Sequence, residues 1–192
     1  MVSTRIVAPQ DRVNGAEVGR DPSPRADTPR ERYNSPTMIH LKRVLVPTDF
    51  SKSAHKALVY GISFSREYSA ELLLVHVVEP VAVGYGSDLF PVPMAAVFEE
   101  MSTFARTELA KLAEEARAKR VEVREMVVQG RPSAEVLRVA KEELVDMIVL
   151  GTHGKGMLDH AIFGSTTERV IRRAPCPVLT CRLDEHEFID ET

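Results

Sequence analysis

The stretch from Asp146 to Ala174 reads DMIVLGTHGKGMLDHAIFGSTTERVIRRA, and three elements follow one another in it. The apolar run Met147–Leu150 has the length of a buried strand. A glycine-rich loop comes next, and Ser165-x-x-Glu168 then matches a capping box, which predicts a helix starting there. The stretch therefore predicts a strand, a loop and a helix in which the loop joins the end of the strand to the helix start.

The loop and the helix start have the parts of an anion-binding site. Gly151 and Gly154 carry no side chain, so their backbone N–H groups can approach a phosphate oxygen closely. Gly164 and Ser165 stand at the helix start, where unpaired N–H groups favour negative charge. The other interpretations are a plain loop for the glycines and a cap on its own helix for Ser165. We predict that this unit holds the phosphates of a nucleotide.

Composition and charge narrow the class of protein. The chain has 192 residues, of which 44% are hydrophobic and 28% charged, as expected of one globular α/β domain. A net charge of −3 does not favour binding to nucleic acid, which needs a basic face. The longest apolar runs are far shorter than a membrane span, and no secretory signal pattern follows the start. We expect a cytoplasmic protein that binds neither nucleic acid nor membrane.

The two ends of the chain differ from the middle. Residues 1–37 combine five prolines with alternating charges and show no helical or strand period. We predict a disordered N-terminal extension there, with a regulatory or docking tail as the alternative interpretation. Residues 38–184 are expected to form the folded domain, and residues 185–192 an acidic tail.

Strands and helices alternate along the middle of the chain. The predicted strands are Leu41–Pro47, Glu71–Val78, Val121–Val128, Met147–Leu150 and Pro177–Leu183. The predicted helices are Lys52–Tyr68, Ala95–Lys119, Ala134–Leu144 and Thr166–Arg173. Continuous apolar strands joined by helices indicate parallel pairing with right-handed crossovers. The fold class is therefore α/β, an open doubly wound sheet of five parallel strands.

Three apolar or aromatic side chains inside these elements receive a structural interpretation. His76 lies in an apolar strand with no second histidine or cysteine at ligand spacing, so we expect a hydrogen-bonded structural histidine. Met101 and Phe104 are expected in the core-facing stripe of the helix Ala95–Lys119, whose other members are Ala105, Leu109, Leu112 and Ala116.

Asp49 becomes a candidate binding residue through its position. It follows the first strand in the segment Pro47–Ser51, and Ser51 is the predicted N-cap of the next helix. Taken alone, Asp49 would be interpreted as a turn or capping residue. Ligands of doubly wound sheets, however, bind beyond the carboxyl ends of strands, and Gly151 also lies at such an end. This convergence predicts that Asp49 and Gly151 face the same ligand.

These segments resemble the universal stress protein family over about Ile39–Leu183. The resemblance rests on RVLVPTDFS at 43–51, LLLVHVVEP at 72–80, GRPSAEVL at 130–137 and the spacing G-x2-G-x9-G-S from Gly151. That spacing marks the ATP-binding branch of the family. The resemblance implies a Rossmann-like fold of the adenine nucleotide α-hydrolase-like type. It also implies a homodimer paired through the last strand, Pro177–Leu183.

The resemblance further implies roles for individual residues toward an adenine nucleotide. Pro47 and Thr48 would lie along the adenosine, with Asp49 near the ribose. Val77 and Leu150 would frame the adenine. The phosphates would be held by the loop and helix residues Gly151, Gly154, Gly164, Ser165 and Thr166. The expected ligand is ATP, with AMP and ADP as alternatives. Mg²⁺ or Mn²⁺ would be bound by the phosphate oxygens.

The implied function is that of an ATP-binding regulatory protein of the stress response. Enzymes of the same fold class, adenylyl transferases and ATP pyrophosphatases, carry HxGH or SGGxDS motifs, and neither string occurs here, nor does a Walker motif. No general base with a paired orienting group can be identified, so any ATP hydrolysis is expected to be slow. A slow ATP hydrolase and a nucleotide-free interaction module stay open as alternatives, although the intact glycine pattern argues against the second.

Overall fold

Strands and helices alternate in the computed structural model, which describes residues 38–80, 94–152 and 163–184. The strands are β1 Arg43–Pro47, β2 Glu71–Val78, β3 Val123–Gln129, β4 Met147–Gly151 and β5 Val178–Cys181. The helices are α1 Lys52–Tyr68, α2 Met94–Ala118, α3 Pro132–Glu142 and α4 Ser165–Arg173. Every predicted element is present, with its ends within about two residues of the prediction. The predicted extension 1–37 and acidic tail 185–192 lie outside the described residues and stay predictions.

The five strands form one parallel sheet in the order β3-β2-β1-β4-β5. This order confirms the predicted open doubly wound fold. The chain moves outward from β1 through β2 to β3, then returns past β1 to continue through β4 to β5. The direction of winding therefore changes between β1 and β4, and the carboxyl ends of these two neighbours are where such a sheet can bind a ligand.

The sheet is covered on both faces, which explains its continuous apolar strands. Successive side chains of a strand point to opposite faces. Val44 and Val46 of β1 pack with residues of α1 and α2, whereas Leu45 packs with residues of α3 and α4. All three side chains are fully buried. The same alternation holds in β2 and β4, so each of the three central strands contributes to two hydrophobic cores.

The core-facing stripe of α2 agrees with the prediction at Ala105, Leu109 and Ala116 but not at Met101 and Phe104. Met101 and Phe104, predicted in the core, are 38% and 59% exposed. The buried face is made by the neighbouring positions Ser102, Ala105, Leu109, Ala113 and Ala116. For Met101 and Phe104 the prediction is wrong because it followed the largest apolar side chains, whereas the surface facing the sheet is filled mainly by small ones. Met101 and Phe104 therefore lie outside the core and are available to form part of another surface.

Charged side chains join the strands at their amino ends. Glu71 of β2 accepts hydrogen bonds from Arg43 Nε at 3.2 Å and from Arg124 Nε at 2.9 Å. Arg124 also donates to the Glu143 carboxylate at 2.7 Å, and this bond lowers the pKa of Glu143. The network connects β1, β2, β3 and the end of α3 at the edge opposite the carboxyl ends of the strands.

Three helices end in the same left-handed turn, and none of them has glycine at the left-handed position. Ser69, Arg120 and Leu144, just beyond α1, α2 and α3, have φ angles of 54°, 64° and 50°. In each case the next amide donates to the carbonyl five residues earlier, at 2.8 to 3.2 Å. This is the Schellman arrangement, whose left-handed position is usually glycine because a Cβ atom is strained there.

We predict that Leu144→Gly stabilises the protein. The left-handed conformation costs an L-residue roughly 1–2 kcal/mol, and glycine removes this cost. Glycine also gives the unfolded state more conformational entropy, which offsets roughly half of the gain. The free energy of unfolding, measured by urea denaturation, should rise by about 0.5–1 kcal/mol. The matched control is Leu144→Ala, which removes the same exposed side chain but keeps the Cβ atom. An equal gain in both variants would contradict the strain explanation.

Candidate functional site

A cleft of about 790 Å³ opens at the carboxyl ends of β1 and β4. Its walls are the turn after β1, the ends of β2 and β4, the first turn of α4 and the facing sides of α2 and α3. The volume falls within the range of small-molecule binding sites. The cleft therefore lies at the switch point of the sheet and is large enough for a nucleotide-sized ligand.

Nine of the ten residues predicted to bind the nucleotide line this one cleft. They are Pro47, Thr48, Asp49, Val77, Leu150, Gly151, Gly164, Ser165 and Thr166. The tenth, Gly154, lies outside the described residues. Residues separated by more than a hundred positions thus meet because parallel strands end at the same edge of the sheet. Their contacts with a nucleotide stay a prediction.

The start of α4 differs from the predicted capping box. Gly164 is the N-cap residue, with φ −67° and ψ 153°, and Ser165 is the first residue of the helix. No side-chain cap bond is formed, and Glu168 instead accepts hydrogen bonds from Arg172. The prediction is wrong because Gly164 already occupies the extended position that a capping residue needs. The hydroxyl of Ser165 is therefore not used as a cap on its own helix.

Two hydrogen bonds fix the start of α4 to the end of β4. Gly164 N donates to Thr152 O at 2.8 Å, and Thr167 Oγ1 donates to Gly151 O at 2.9 Å. Both threonines are buried. The chain that leaves β4 at Thr152 therefore returns to the same point at Gly164, and the amino end of α4 is held beside the end of β4 at the cleft.

Gly151 is required by packing as well as by its place in the cleft. A Cβ atom there would lie 2.4 Å from Ser53 Oγ and 2.7 Å from the backbone carbon and oxygen of Ser53. Ser53 is in the first turn of α1, so the glycine allows α1 to approach the end of β4. The prediction gave close approach of a phosphate as the reason for this glycine, whereas the contact with α1 is sufficient to require it.

The turn after β1 is held by its own side chains. Asp49 Oδ1 accepts a hydrogen bond from Ser51 N at 3.0 Å, as in an Asx-turn. Ser51 Oγ accepts one from Ala54 N at 3.2 Å, which confirms the predicted N-cap of α1. Asp49 is half-buried and lines the cleft. It therefore has the structural role of a turn residue in addition to its exposure to the cleft.

Four further residues that sequence reasoning did not assign to the site form one wall of the cleft: Phe50, His76, Met101 and Phe104. Phe50 and His76 are stacked with ring centroids 4.5 Å apart, and Phe104 meets Phe50 edge-on at 6.3 Å. His76 Nδ1 lies 2.8 Å from Thr48 O, which confirms the predicted hydrogen-bonded histidine. Phe104 carried no signal in the sequence, since its apolar character fitted a core position equally well.

The described lining of the cleft is acidic rather than basic. It includes the carboxylates of Asp49, Glu79 and Glu100 but no lysine or arginine. Within residues 38–80, 94–152 and 163–184, no group of three or more His, Cys, Asp and Glu side chains is placed to hold a metal ion. No helix in those same segments is long and apolar enough to span a bilayer.

Comparisons with known proteins give a consistent family assignment. The model of the universal stress protein family matches residues 40–182. Universal stress protein MJ0577 of Methanocaldococcus jannaschii is 32% identical over 157 residues, which cover 75% of this chain and 96% of that protein. A solved structure of protein MJ0577 superposes with a TM-score of 0.68 at 28% identity, covering 77% of this chain and 100% of the other.

Two more distant solved structures contain adenine nucleotides. A universal stress protein in complex with cAMP matches with a TM-score of 0.53 and 23% identity, covering 74% of this chain and 98% of that one. A universal stress protein of Archaeoglobus fulgidus in complex with dAMP matches with a TM-score of 0.51 and 22% identity, covering 75% and 99%. At these identities the two structures show the shared fold alone.

We predict that Gly151→Ala destabilises the protein by about 1–3 kcal/mol, the usual cost of inserting a methyl group into closely packed structure. The new Cβ atom must displace the first turn of α1, because its nearest backbone neighbours are atoms of Ser53. Chemical denaturation measures the loss. Adding Ser53→Ala should recover only part of it, since the carbonyl of residue 53 remains. Full recovery, or no loss at all, would show that the backbone contact is not limiting.

Proposed function

The chain belongs to the universal stress protein family, and we propose that it binds ATP in this cleft and acts as a nucleotide-dependent regulatory protein of the stress response. The observation that carries the proposal is the uncapped first turn of α4, which lines a cleft at the switch point of the sheet. Uncapped helix N-termini attract anions because their N–H groups and the helix dipole both favour negative charge.

In this proposal the phosphates lie against the start of α4. Ser165 and Thr166 would supply backbone and hydroxyl donors, and Gly154 and Gly164 would allow close approach. Gly151, whose missing side chain faces Ser53, would line the same end of the cleft. The described cleft residues include no lysine or arginine to balance a triphosphate. A divalent cation bound to the phosphate oxygens would supply that charge, as Mg²⁺ commonly does in nucleotide sites. We therefore propose Mg²⁺ or Mn²⁺ as a companion of the nucleotide rather than as an ion with its own protein cage.

The nucleoside would occupy the other part of the cleft. Val77 and Leu150 would frame the adenine, with Pro47 and Thr48 alongside the adenosine. Asp49 would accept a hydrogen bond from the ribose. One of its oxygens bonds Ser51 N, but a carboxylate offers about four lone-pair sites and can accept further donors. The cAMP and dAMP complexes of two relatives support an adenine nucleotide as the ligand class.

We also propose that two copies of the chain pair through β5, within the predicted strand Pro177–Leu183. β5 is at the edge of the sheet and bonds to β4 on one side. A free edge presents a row of backbone donors and acceptors suited to pairing with another strand. Cytoplasmic location stays a prediction from the sequence.

We predict that Mg·ATP stabilises the protein. A ligand that binds only the folded state should raise the free energy of unfolding by about 2.7 kcal/mol at 100 times its dissociation constant. Thermal unfolding with ATP, ADP, AMP and GTP measures the effect and the preferred ligand. Absence of a shift with every adenine nucleotide would favour the nucleotide-free interaction module, and rapid release of phosphate from ATP would favour an enzyme.

Two substitutions in the same experiment separate binding from folding. Ser165→Glu places a negative charge in the first turn of α4, which stabilises the helix by about 0.3–1 kcal/mol but repels phosphates. The nucleotide-free protein should therefore keep or gain stability while the ATP-induced shift decreases. Ser165→Gln is the neutral control of similar size and should retain more of the shift. Gly154→Val should abolish the shift by blocking close approach while leaving the fold intact.

We predict that Thr180→Pro separates the dimer into folded monomers. Thr152 N bonds Cys181 O and Ile148 N bonds Pro177 O, so alternate residues of β5 face β4 and Thr180 N–H faces away from it. Proline at the outward position removes only a donor used by a partner strand. Leu179→Pro, on the β4 side, should instead destabilise the monomer. Light scattering and thermal unfolding read out both effects, and a Thr180→Pro variant that stays dimeric excludes pairing through β5.

A further inference from the structure

Phe50 has a backbone conformation that its position in the fold does not explain. Among the described residues, four that are not glycine have positive φ: Phe50, Ser69, Arg120 and Leu144. The last three end helices, where the left-handed conformation is common. Phe50, with φ 62°, instead precedes Ser51, the N-cap of α1, and lines the cleft. A strained residue of this kind persists only where its surroundings hold it, and such residues concentrate at functional sites.

The hydrogen bonds of Thr48 hold one side of this turn. Thr48 N donates to Val75 O at 2.8 Å, and Thr48 Oγ1 accepts a bond from Phe50 N at 3.0 Å. Thr48 O lies 2.8 Å from His76 Nδ1. A carbonyl oxygen can only accept, so Nδ1 of His76 carries the proton and donates it. All three polar groups of Thr48 are therefore bonded, two of them to β2.

His76 also holds the side chain of the strained residue. Its ring stacks on Phe50 with centroids 4.5 Å apart and an interplanar angle of 24°. The side chain of His76 thus bonds the main chain at Thr48 and packs on the ring of Phe50. These two residues flank Asp49 in the chain. Asp49 lies between two fixed points and lines the cleft.

We propose that His76 is a positioning residue, whose hydrogen bond to Thr48 O holds the turn after β1 in the left-handed form that presents Asp49 to the nucleoside of the ligand, with its stacking on Phe50 as the smaller contribution. This inference rests on the proposed nucleotide site. His76 acts through the turn and need not touch the ligand. The phosphate-binding end, built from β4 and α4, is held by the separate bonds Gly164–Thr152 and Thr167–Gly151.

The test compares three substitutions at residue 76. His76→Asn keeps a donor near the place of Nδ1 but loses the ring. His76→Phe keeps a ring for stacking but loses the donor, and His76→Leu loses both. The matched control is His55→Asn, since His55 is half-exposed, pairs with Glu115 and does not line the cleft.

Loss of the donor should weaken ATP binding. We expect the dissociation constant of ATP, measured by calorimetry, to rise about tenfold, or about 1.4 kcal/mol, in His76→Leu and His76→Phe. His76→Asn should stay within about threefold of the wild type, and His55→Asn should be unchanged. Binding of magnesium tripolyphosphate should be equal in all of them, because it uses only the phosphate end. Wild-type affinity for ATP in His76→Leu, or an equal loss for tripolyphosphate, would overturn the proposal.

A nucleotide-free measurement keeps this inference separate from the proposed function. The three-bond HN–Hα coupling and chemical shifts of Phe50, measured by NMR without ligand, should report positive φ in the wild type and in His76→Asn. They should report relaxation to negative φ in His76→Phe and His76→Leu. Retention of positive φ in the variants without the donor would overturn the positioning role even if ATP binds. A wild type that binds no nucleotide would remove the proposed function while the coupling still tests the turn.

Discussion

The pairing of β1 with β4 is the contact on which the rest of the molecule depends. It is short, with Val44 opposite Met147 and Leu45 opposite Ile148, and it joins segments about a hundred positions apart in sequence. This pairing brings the turn after β1 beside the end of β4. The helices that follow these two strands, α1 and α4, lie on opposite faces of the sheet. A crevice at that place follows from the winding order alone, whatever side chains line it.

The structure places paired charges at the amino ends of the strands and the candidate cleft at their carboxyl ends. At the amino edge, Arg43, Glu71, Arg124 and Glu143 are satisfied by one another, which leaves them little capacity for a ligand. At the carboxyl edge, by contrast, the first turn of α4 has no side-chain cap and large apolar side chains stay exposed. Polar groups that the fold leaves without an intramolecular partner are those available to a ligand.

The sequence predicted the fold well because its signals were redundant. Each strand had an apolar run and each helix an amphipathic period, and the alternation of the two leaves few possible topologies. The meeting of nine predicted residues in one cleft could be predicted because strand ends can be located from the sequence. Finer features depend on distances between elements, which a sequence does not contain. The contact of Gly151 with Ser53 is one case, and the position of Phe104 in the cleft rather than in the core is another.

The bond between Gly164 N and Thr152 O has a consequence for divergence among relatives. It joins the end of β4 directly to the start of α4, so the strand and the helix hold each other in place through their own atoms. Lengthening a closed loop costs only about 0.6 kcal/mol for each doubling of its length. A change in the number of residues between Thr152 and Gly164 therefore costs the scaffold little.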